Sequence, residues 1–296
     1  MKYFSAPAKL NLFLHVVGRR PDGFHLLQSV FRMIDFADDI GIEVREDGVI
    51  RRRNAVTGVP EENDLCVRAA RLLKTHTHTA LGADIELIKR LPSGGGLGGG
   101  SSDAATVLLA LNQQWNARLS RRGLQELGAS LGADVPFFIY GESAFVEGIG
   151  DRLSPVKLAP AWYLVLVPRV AVPTREIFAA PELKRDATPI APAAYAAEFG
   201  GNTLQAATCA RYPEVARHLE WLSSRVPVPG LARMTGSGAC VFASFASESA
   251  ARELCATLPA DMRGFVAEGL DTHPLYDIAA VPSPFQGEAL HSGDGC

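Results

Sequence analysis

The sequence lacks the features that mark membrane and secreted proteins. Its longest apolar run, Ala161–Pro168, is far shorter than the ~18 residues of a membrane helix. The first five residues contain no apolar segment of the kind found in a signal peptide. We therefore expect a cytoplasmic protein with no membrane partner.

An excess of positive charge is also missing. The chain has 29 Lys and Arg residues against 32 Asp and Glu residues, a net charge of −3. This balance argues against a general nucleic-acid partner, because such proteins carry a basic patch or a basic excess. The only arginine run, Arg51–Arg53, is interpreted as a solvated turn between strands.

Cysteine motifs are absent as well. The five cysteines have wide spacings, and no Cys-x-x-Cys occurs. We expect reduced and mostly buried thiols rather than disulfides or a zinc site. His76 and His78 form His-x-His without a third ligand nearby, which favours a solvated loop over a metal site.

What is present predicts a globular α/β or α+β protein. The 296 residues, 47% of them hydrophobic, suffice for one large or two medium domains. Strand and helix patterns alternate in both halves. Ala159–Pro160 is a plausible boundary, so we predict domains over residues 1–158 and 159–280. The segment 281–296 is rich in Pro, Gly and Ser, and we predict a disordered tail.

The local patterns predict individual elements. Asn63 or Asp64 can begin a helix that ends near Lys74, and Ser101 or Ser102 can begin an apolar helix that ends near Trp115. Further helices are predicted at 120–131, after 174, and at 202–210, 213–224 and 247–258. Strands are predicted at 4–16, 30–44, 85–89, 143–146, 163–167, 239–245 and 264–268.

A glycine-rich loop is the strongest signal in the chain. Residues 94–100 include six glycines and lie between a predicted strand and a predicted apolar helix. Ordering so many glycines is entropically costly, which indicates a function. The free amides and positive dipole at a helix N-terminus bind anions, above all phosphate. Ser101 and Ser102 add hydroxyls that could contact phosphate oxygens or Mg²⁺.

Other interpretations of this loop fit less well. A flexible linker would not usually lie between a strand and an apolar helix. A dinucleotide-binding loop needs an acidic residue ~20 positions later at the end of a second strand, but that position falls within or just after the helix. A Walker loop needs Gly-Lys-Ser/Thr, which is absent from the chain.

Three segments together resemble the GHMP kinases. Pro92–Ser102 resembles the family's central phosphate-binding motif, Ala6–Leu12 its first motif, and Thr235–Phe242 its third. The resemblance covers about residues 3–275. It implies an α+β fold with a ribosomal-protein-S5-like N-terminal domain and a ferredoxin-like C-terminal domain. The active site would lie in the cleft between them, with ATP and Mg²⁺ as cofactors.

Three more segments narrow the resemblance within the family. Pro21–His25, Gly132–Phe138 and Pro173–Phe178 are similar to a branch that phosphorylates the 2-hydroxyl of a methylerythritol unit linked to cytidine diphosphate. This reaction belongs to non-mevalonate isoprenoid synthesis. The alternatives are a homoserine- or mevalonate-type kinase, or a non-catalytic nucleotide-binding protein of the same fold. We expect a monomer or a weak homodimer.

Asp134 and Lys9 are the candidate catalytic residues. Asp134 is a lone carboxylate in an apolar segment, where burial is costly unless the group is paired or functional. It could act as the base, although an aspartate that caps a helix fits the same pattern. Lys9 interrupts an apolar strand and could hold Asp134 ionised, unless it reaches solvent instead. Asn11 lies on the same strand face and could orient a substrate oxygen.

The remaining assignments concern the two ligands. Phe24, His25 and Phe178 could bind cytosine, since aromatic faces stack on bases, although ordinary core packing also suits them. Position 24 is more often tyrosine in the family. The other expected substrate-binding residues are Thr174, Gly236, Ser237 and Gly238.

For ATP, the resemblance points to a set of residues around the glycine loop. Asn63, Asp64 and Leu65 are expected at the adenine end. Asp64 stands where many relatives have asparagine, and it could accept from the adenine amino group but could not donate. Asn63 and Asp64 are also equally good helix caps. No carboxylate has a spacing that assigns it to Mg²⁺, so the ion would arrive with ATP. The expected ATP-binding residues are Asn63, Asp64, Leu65, Lys89, Pro92, Gly94, Gly95, Gly96, Leu97, Gly98, Gly99, Gly100, Ser101 and Ser102, with Ser93 close by.

Overall fold

The computed structural model describes residues 1–196, 199–227 and 232–279. The predicted tail lies outside this range. The strands are β1 Lys2–Arg19, β2 His25–Arg45, β3 Ile50–Arg52, β4 Gly82–Ile88, β5 Ala144–Glu147, β6 Arg152–Pro155, β7 Trp162–Leu166, β8 Arg233–Met234, β9 Val241–Phe245 and β10 Gly264–Leu270. The helices are α1 Leu65–Thr77, α2 Gly99–Gln114, α3 Arg121–Gly128, α4 Val135–Tyr140, α5 Thr174–Phe178, α6 Gln205–Arg211, α7 Pro213–Ser223 and α8 Glu248–Cys255.

The strands form an antiparallel network centred on β2. β2 pairs with β1 along most of its length and also with β4, β5 and β10, while β10 continues the sheet through β7 and β9 to β8. Among the strands in the described residues, only β3 and β4 pair in parallel, and an isolated parallel bridge joins Leu14 to Asn202. Antiparallel sheets with helices packed on them make this an α+β fold, as the family resemblance implies.

Helix α2 lies at the centre of the first hydrophobic core. Its residues from Ser102 to Asn112 are all buried, which explains why the helix is apolar on every side. It packs against α1, α4 and strands β1 and β2. Because α2 is held on all sides, its N-terminus is a rigid platform directly after the glycine loop.

Strand β1 runs from this core, through a central cluster that contains Leu10 and Phe13, into a second core. Phe4 and Ala6 belong to the first core, whereas Leu14 and Val16 pack with residues of β7, β9 and helices α5–α7. The chain also returns after residue 158, since Gly269 of β10 pairs with β2 and Leu275 packs in the first core. Segments from both ends therefore cross the predicted boundary.

Some local predictions are wrong. Arg51–Arg53 are not a solvated turn: Arg51 and Arg52 lie in β3, and each pairs with an aspartate. Helix α2 begins after Gly98, so Ser101 and Ser102 lie inside its first turns and do not cap it. Helix α4, directly after Asp134, was not predicted.

Three further features concern the cysteines, the His-x-His segment and the helix lengths in the part of the chain that the structure describes. Its four cysteines are free thiols, two of them buried. His76 and His78 are exposed as expected, but the prediction of a loop is wrong, because His76 lies in the last turn of α1 and His78 is its C-cap. No helix in the described ranges is long and apolar enough to span a bilayer.

Candidate active site

A cleft of about 1270 Å³ is lined by residues of both of these cores together with the glycine loop. All residues that the sequence assigns to catalysis, ATP or substrate line this cleft, with two exceptions. Ser102 is fully buried, and Gly238 is not part of the lining. Motifs from four distant parts of the chain therefore face one space.

The glycine loop owes its shape to alternating backbone conformations. Gly94, Gly96 and Gly98 have positive φ angles of 69°, 76° and 73°, a region that L-residues with side chains rarely occupy. Gly98 is also the N-cap of α2. The loop therefore leads directly into the unpaired amides of the α2 N-terminus, where anions bind.

Backbone hydrogen bonds join the loop to the first and third motifs. The Lys9 amide donates to the Leu97 carbonyl at 2.9 Å, and the Cys240 amide donates to the Gly95 carbonyl at 3.1 Å. The Thr235 hydroxyl accepts a hydrogen bond from the Asn11 backbone amide at 3.0 Å and donates one to the Gly96 carbonyl at 3.2 Å. The three motifs thus form one hydrogen-bonded unit.

Lys9 and Asp134 meet at the floor of the cleft. Lys9 Nζ lies 3.4 Å from Asp134 Oδ2 and donates to Asn11 Oδ1 at 2.7 Å. The Lys9 side chain is 5% exposed, so it does not reach bulk solvent. Asp134 precedes α4, but its side chain accepts no capping hydrogen bond. Asp134 thus occupies the N-cap position of α4 without a capping hydrogen bond, and the solvent-reaching alternative is wrong for Lys9.

Aromatic side chains line the opposite end of the cleft. The rings of His25 and Phe178 have centroids 5.0 Å apart, inclined by 38°. Phe24 is 59% exposed and contributes to the same wall. Core packing does not explain such an exposed Phe24. Nearby, the Thr174 and Ser237 hydroxyls lie 2.8 Å apart and connect α5 to the third motif.

Asp64 has partners of its own at the mouth of the cleft. Its carboxylate accepts from the Cys66 amide at 2.7 Å, which caps α1, and from Arg52 Nη1 at 2.6 Å. Both partners of this ion pair are largely buried. The helix-cap interpretation of Asp64 is confirmed, while Asn63 and Leu65 beside it also line the cleft.

Lys89 joins two buried aspartates beneath the glycine loop. Its ammonium donates to Asp38 and, at 2.8 Å, to Asp103 of helix α2. Asp38 also accepts the Leu91 amide at 2.8 Å, just before the loop begins. Burial raises the pKa of Asp103 to about 7, even though Lys89 opposes this shift. This cluster anchors both ends of the loop.

The two serines after the loop have different environments. Ser101 faces the cleft. Ser102 is one residue further around the helix, about 100° away, and its hydroxyl is buried without a hydrogen-bond partner. Only Ser101 is therefore placed to contact a ligand. Within the described ranges no three His, Cys, Asp or Glu side chains form a metal-binding group.

The sequence interpretation missed several of these residues. Asp103 is a lone acid on an apolar helix, the same signal that singled out Asp134. Thr235 lies in the third motif, but the motif alone predicts no hydrogen bonds for its hydroxyl. The pairing of Arg52 with Asp64 carries no local signal, because the two residues come from different elements.

Comparisons with known proteins agree with this arrangement. One family model, the GHMP kinases N terminal domain, matches residues 64–142, and another, GHMP kinases C terminal, matches residues 179–264. The chain belongs to the GHMP kinase family. The family and the fold that the motifs imply are thereby confirmed for this GHMP kinase.

Similar proteins narrow the comparison further. The chain is 60% identical over 275 residues to the 4-diphosphocytidyl-2-C-methyl-D-erythritol kinase of Thiobacillus denitrificans, covering 93% of this chain and 98% of the relative. It is 58% identical to the protein of the same name in Nitrosospira multiformis, with 93% of each chain covered. A crystal structure of 4-(cytidine 5'-diphospho)-2C-methyl-D-erythritol kinase superimposes on this GHMP kinase with a TM-score of 0.79, 33% identity and coverage of 90% and 99% of the two chains.

Proposed function

We propose that this GHMP kinase transfers the γ-phosphate of ATP to the 2-hydroxyl of 4-diphosphocytidyl-2-C-methyl-D-erythritol. The chain is a phosphotransferase with an alcohol as acceptor, the activity named for relatives that are 60% and 58% identical to it. One observation carries the proposal: a phosphate loop, a Lys–Asp pair and an aromatic wall face the same cleft.

The size of the cleft supports two ligands. Its volume of about 1270 Å³ exceeds the roughly 300–1,000 Å³ of typical single-ligand pockets. ATP phosphates would bind the loop amides and the N-terminus of α2, which neutralise negative charge without moving. The acceptor would enter from the aromatic side. Both substrates would then meet near Lys9 and Asp134.

Asp134 is the proposed base and Lys9 its partner. The carboxylate would accept the proton of the attacking hydroxyl, and the Lys9 ammonium lies 3.4 Å from it. The same ammonium would stabilise charge that develops on the attacking oxygen. Asn11 fixes the position of Lys9, because its Oδ1 accepts from the ammonium at 2.7 Å.

The aromatic wall supports a nucleobase in the acceptor. Stacking of a base on an aromatic side chain is worth about 1–3 kcal/mol, and Phe24 keeps an exposed face for it. A homoserine or mevalonate acceptor has no base to stack. The phenylalanine at position 24 provides stacking without the hydroxyl of a tyrosine.

The cleft suits a magnesium ion that arrives with the nucleotide. Mg²⁺ prefers oxygen donors and usually binds through one or two protein groups together with substrate phosphates. The Ser101 hydroxyl is such a donor on the cleft surface. When bound, the ion would offset charge on the β- and γ-phosphates.

The test is an ADP-release assay with ATP, Mg²⁺ and four alcohols. These are the cytidyl-diphospho-methylerythritol, free methylerythritol, mevalonate and homoserine. We expect turnover with the first alcohol alone. Turnover with mevalonate or homoserine instead would overturn the proposed acceptor. ATP binding without turnover on any of the four would favour the non-catalytic alternative.

A further inference from the structure

Arg185 connects two walls of the proposed base pocket. It lies after helix α5 and outside the lining of the cleft. Its Nε donates to His25 Nε2 at 3.0 Å, and its Nη2 donates to the carbonyls of Phe178 at 3.1 Å and Ala180 at 2.9 Å. Its Nη1 donates to the Leu183 carbonyl at 2.9 Å. One side chain therefore makes four hydrogen bonds.

The contact with His25 determines where the imidazole proton lies. A guanidinium has only donors, so His25 Nε2 must accept with a lone pair. In neutral His25 the proton is therefore on Nδ1. In the part of the chain that the structure describes, Nδ1 has no hydrogen-bond partner, and the ring lines the cleft. The Nδ1–H group is therefore available to donate a hydrogen bond to a ligand in the pocket.

The charges around His25 keep its ring neutral. Burial lowers the pKa of His25, and the cations Arg185 and Arg19 lower it further. Arg19 ends strand β1 and donates to the Gly23 carbonyl at 3.1 Å. A protonated His25 would face both cations and could not accept from Arg185. The Arg185 cation therefore favours the neutral form of His25, and the neutral form is required for the hydrogen bond from Arg185.

The contact with α5 fixes the second wall. Helix α5 is only five residues long and ends at Phe178, and the Arg185 guanidinium binds the carbonyl groups just at and beyond this end. Such groups lack partners within the helix. The Phe178 backbone and the His25 ring are thereby held by the same planar group.

We propose that Arg185 is a positioning residue for the nucleobase pocket, which holds His25 as an Nδ1–H donor beside Phe178. The inference rests on the proposed function, because it concerns the cytidyl end of the acceptor. It assigns a role to a residue that touches neither substrate. A planar guanidinium is required, because an ammonium lacks the fork that reaches all these acceptors.

Kinetics of matched variants test this role. In Arg185→Gln we expect KM for the cytidyl substrate to rise about tenfold, the effect of losing a hydrogen bond to a charged group, with kcat and KM for ATP unchanged. Lys184→Gln is the control, since Lys184 is an exposed neighbour. An unchanged KM for the cytidyl substrate, or a parallel loss of ATP affinity, would overturn the proposal.

The pH profile separates charge from geometry. Without the Arg185 cation the pKa of His25 rises, so the increase in KM on acidification should begin at a higher pH in Arg185→Gln. Arg185→Lys retains the charge and should keep the wild-type profile while its KM is raised. Identical profiles in the wild type and Arg185→Gln would contradict the proposal.

A spectroscopic measurement is independent of the substrate. Nitrogen-15 spectra of labelled histidine, with His25 assigned through His25→Gln, should show the Nδ1–H tautomer in the wild type and its loss in Arg185→Gln. An Nε2–H tautomer in the wild type would overturn the proposal. If the wild type does not turn over the cytidyl substrate, the proposed function fails, and this measurement still tests the role of Arg185.

Discussion

Lys9 Nζ lies 3.4 Å from Asp134 Oδ2, although one residue comes from strand β1 and the other from the turn before α4. The lysine is almost fully buried, whereas the aspartate keeps 30% of its side chain exposed on the cleft. A buried cation that holds an accessible carboxylate is suited to proton transfer from a bound alcohol.

Asp134→Asn should abolish most of the turnover. Loss of a positioned base lowers the rate by about 10²–10⁴-fold, and we expect this loss in kcat while the Kd for ATP stays unchanged. The measurements are steady-state ADP release and calorimetric ATP titration. Glu126→Gln, on the exposed face of α3, is the control with wild-type activity. Full turnover in Asp134→Asn would remove Asp134 as the base.

Asp64→Asn tests whether Asp64 acts in stability or in adenine recognition. The substitution leaves the buried Arg52 unpaired, which should lower the free energy of unfolding by about 3 kcal/mol. Glu43→Gln breaks the exposed pair with Arg53 and should cost no more than about 1 kcal/mol. Urea denaturation measures both. Unchanged stability together with a higher KM for ATP would instead indicate adenine recognition.

Gly96→Ala should disconnect the glycine loop from the third motif. A Cβ at Gly96 would lie 2.2 Å from the Thr235 carbonyl oxygen. Gly58 has nearly the same φ, +75° against +76°, but open space around its Cβ position. Gly58→Ala should therefore cost only the backbone strain of about 1–2 kcal/mol.

The comparison of the two alanine variants isolates the steric contact. We expect Gly96→Ala to be less stable than Gly58→Ala in urea denaturation and to lose ATP binding, whereas Gly58→Ala retains activity. Equal stability and equal ATP binding would show that the close approach to Thr235 is unimportant.

Asp103 makes the stability of the fold depend on pH. Its pKa rises from an ordinary value near 4 to about 7, so the folded state holds a proton that the unfolded state releases. Its stabilising contribution is complete below about pH 4 and is lost as the pH rises through about 7. Asp103→Asn should therefore flatten the decline in Tm between these values. A decline as steep as that of the wild type would contradict the assignment.

The sequence predicted the parts of the site that have local signals. The glycine loop and the lone charges Lys9 and Asp134 each stand out against their neighbours, whereas Phe24, His25 and Phe178 were assigned only through the family resemblance. The family that these motifs resemble is confirmed. Alternating strand and helix patterns left α/β and α+β open, and the family resemblance decided for α+β.

Other features depended on contacts that no local pattern encodes. Helix α2 begins at Gly99 despite the poor helix propensity of glycine, because surrounding elements bury the helix. Because α2 begins at Gly99, Ser102 lies within the helix, where its side chain is buried. Arg52 of β3 pairs with Asp64 at the start of α1, and Arg185 pairs with His25, which is 160 residues away in the chain. Each of these pairs requires the folded geometry.

The continuity of strand β1 has a mechanical consequence. The first residues of β1 pack in the first core and its last residues pack in the second. A hydrogen-bonded strand, and not a flexible linker, therefore connects the two cores. A wider cleft would require β1 to bend or twist. The elastic resistance of the paired strand would then restore the original distance between the two cores. The stiffness of β1 and β2, more than the length of any connecting loop, should therefore determine how wide the cleft opens between catalytic cycles.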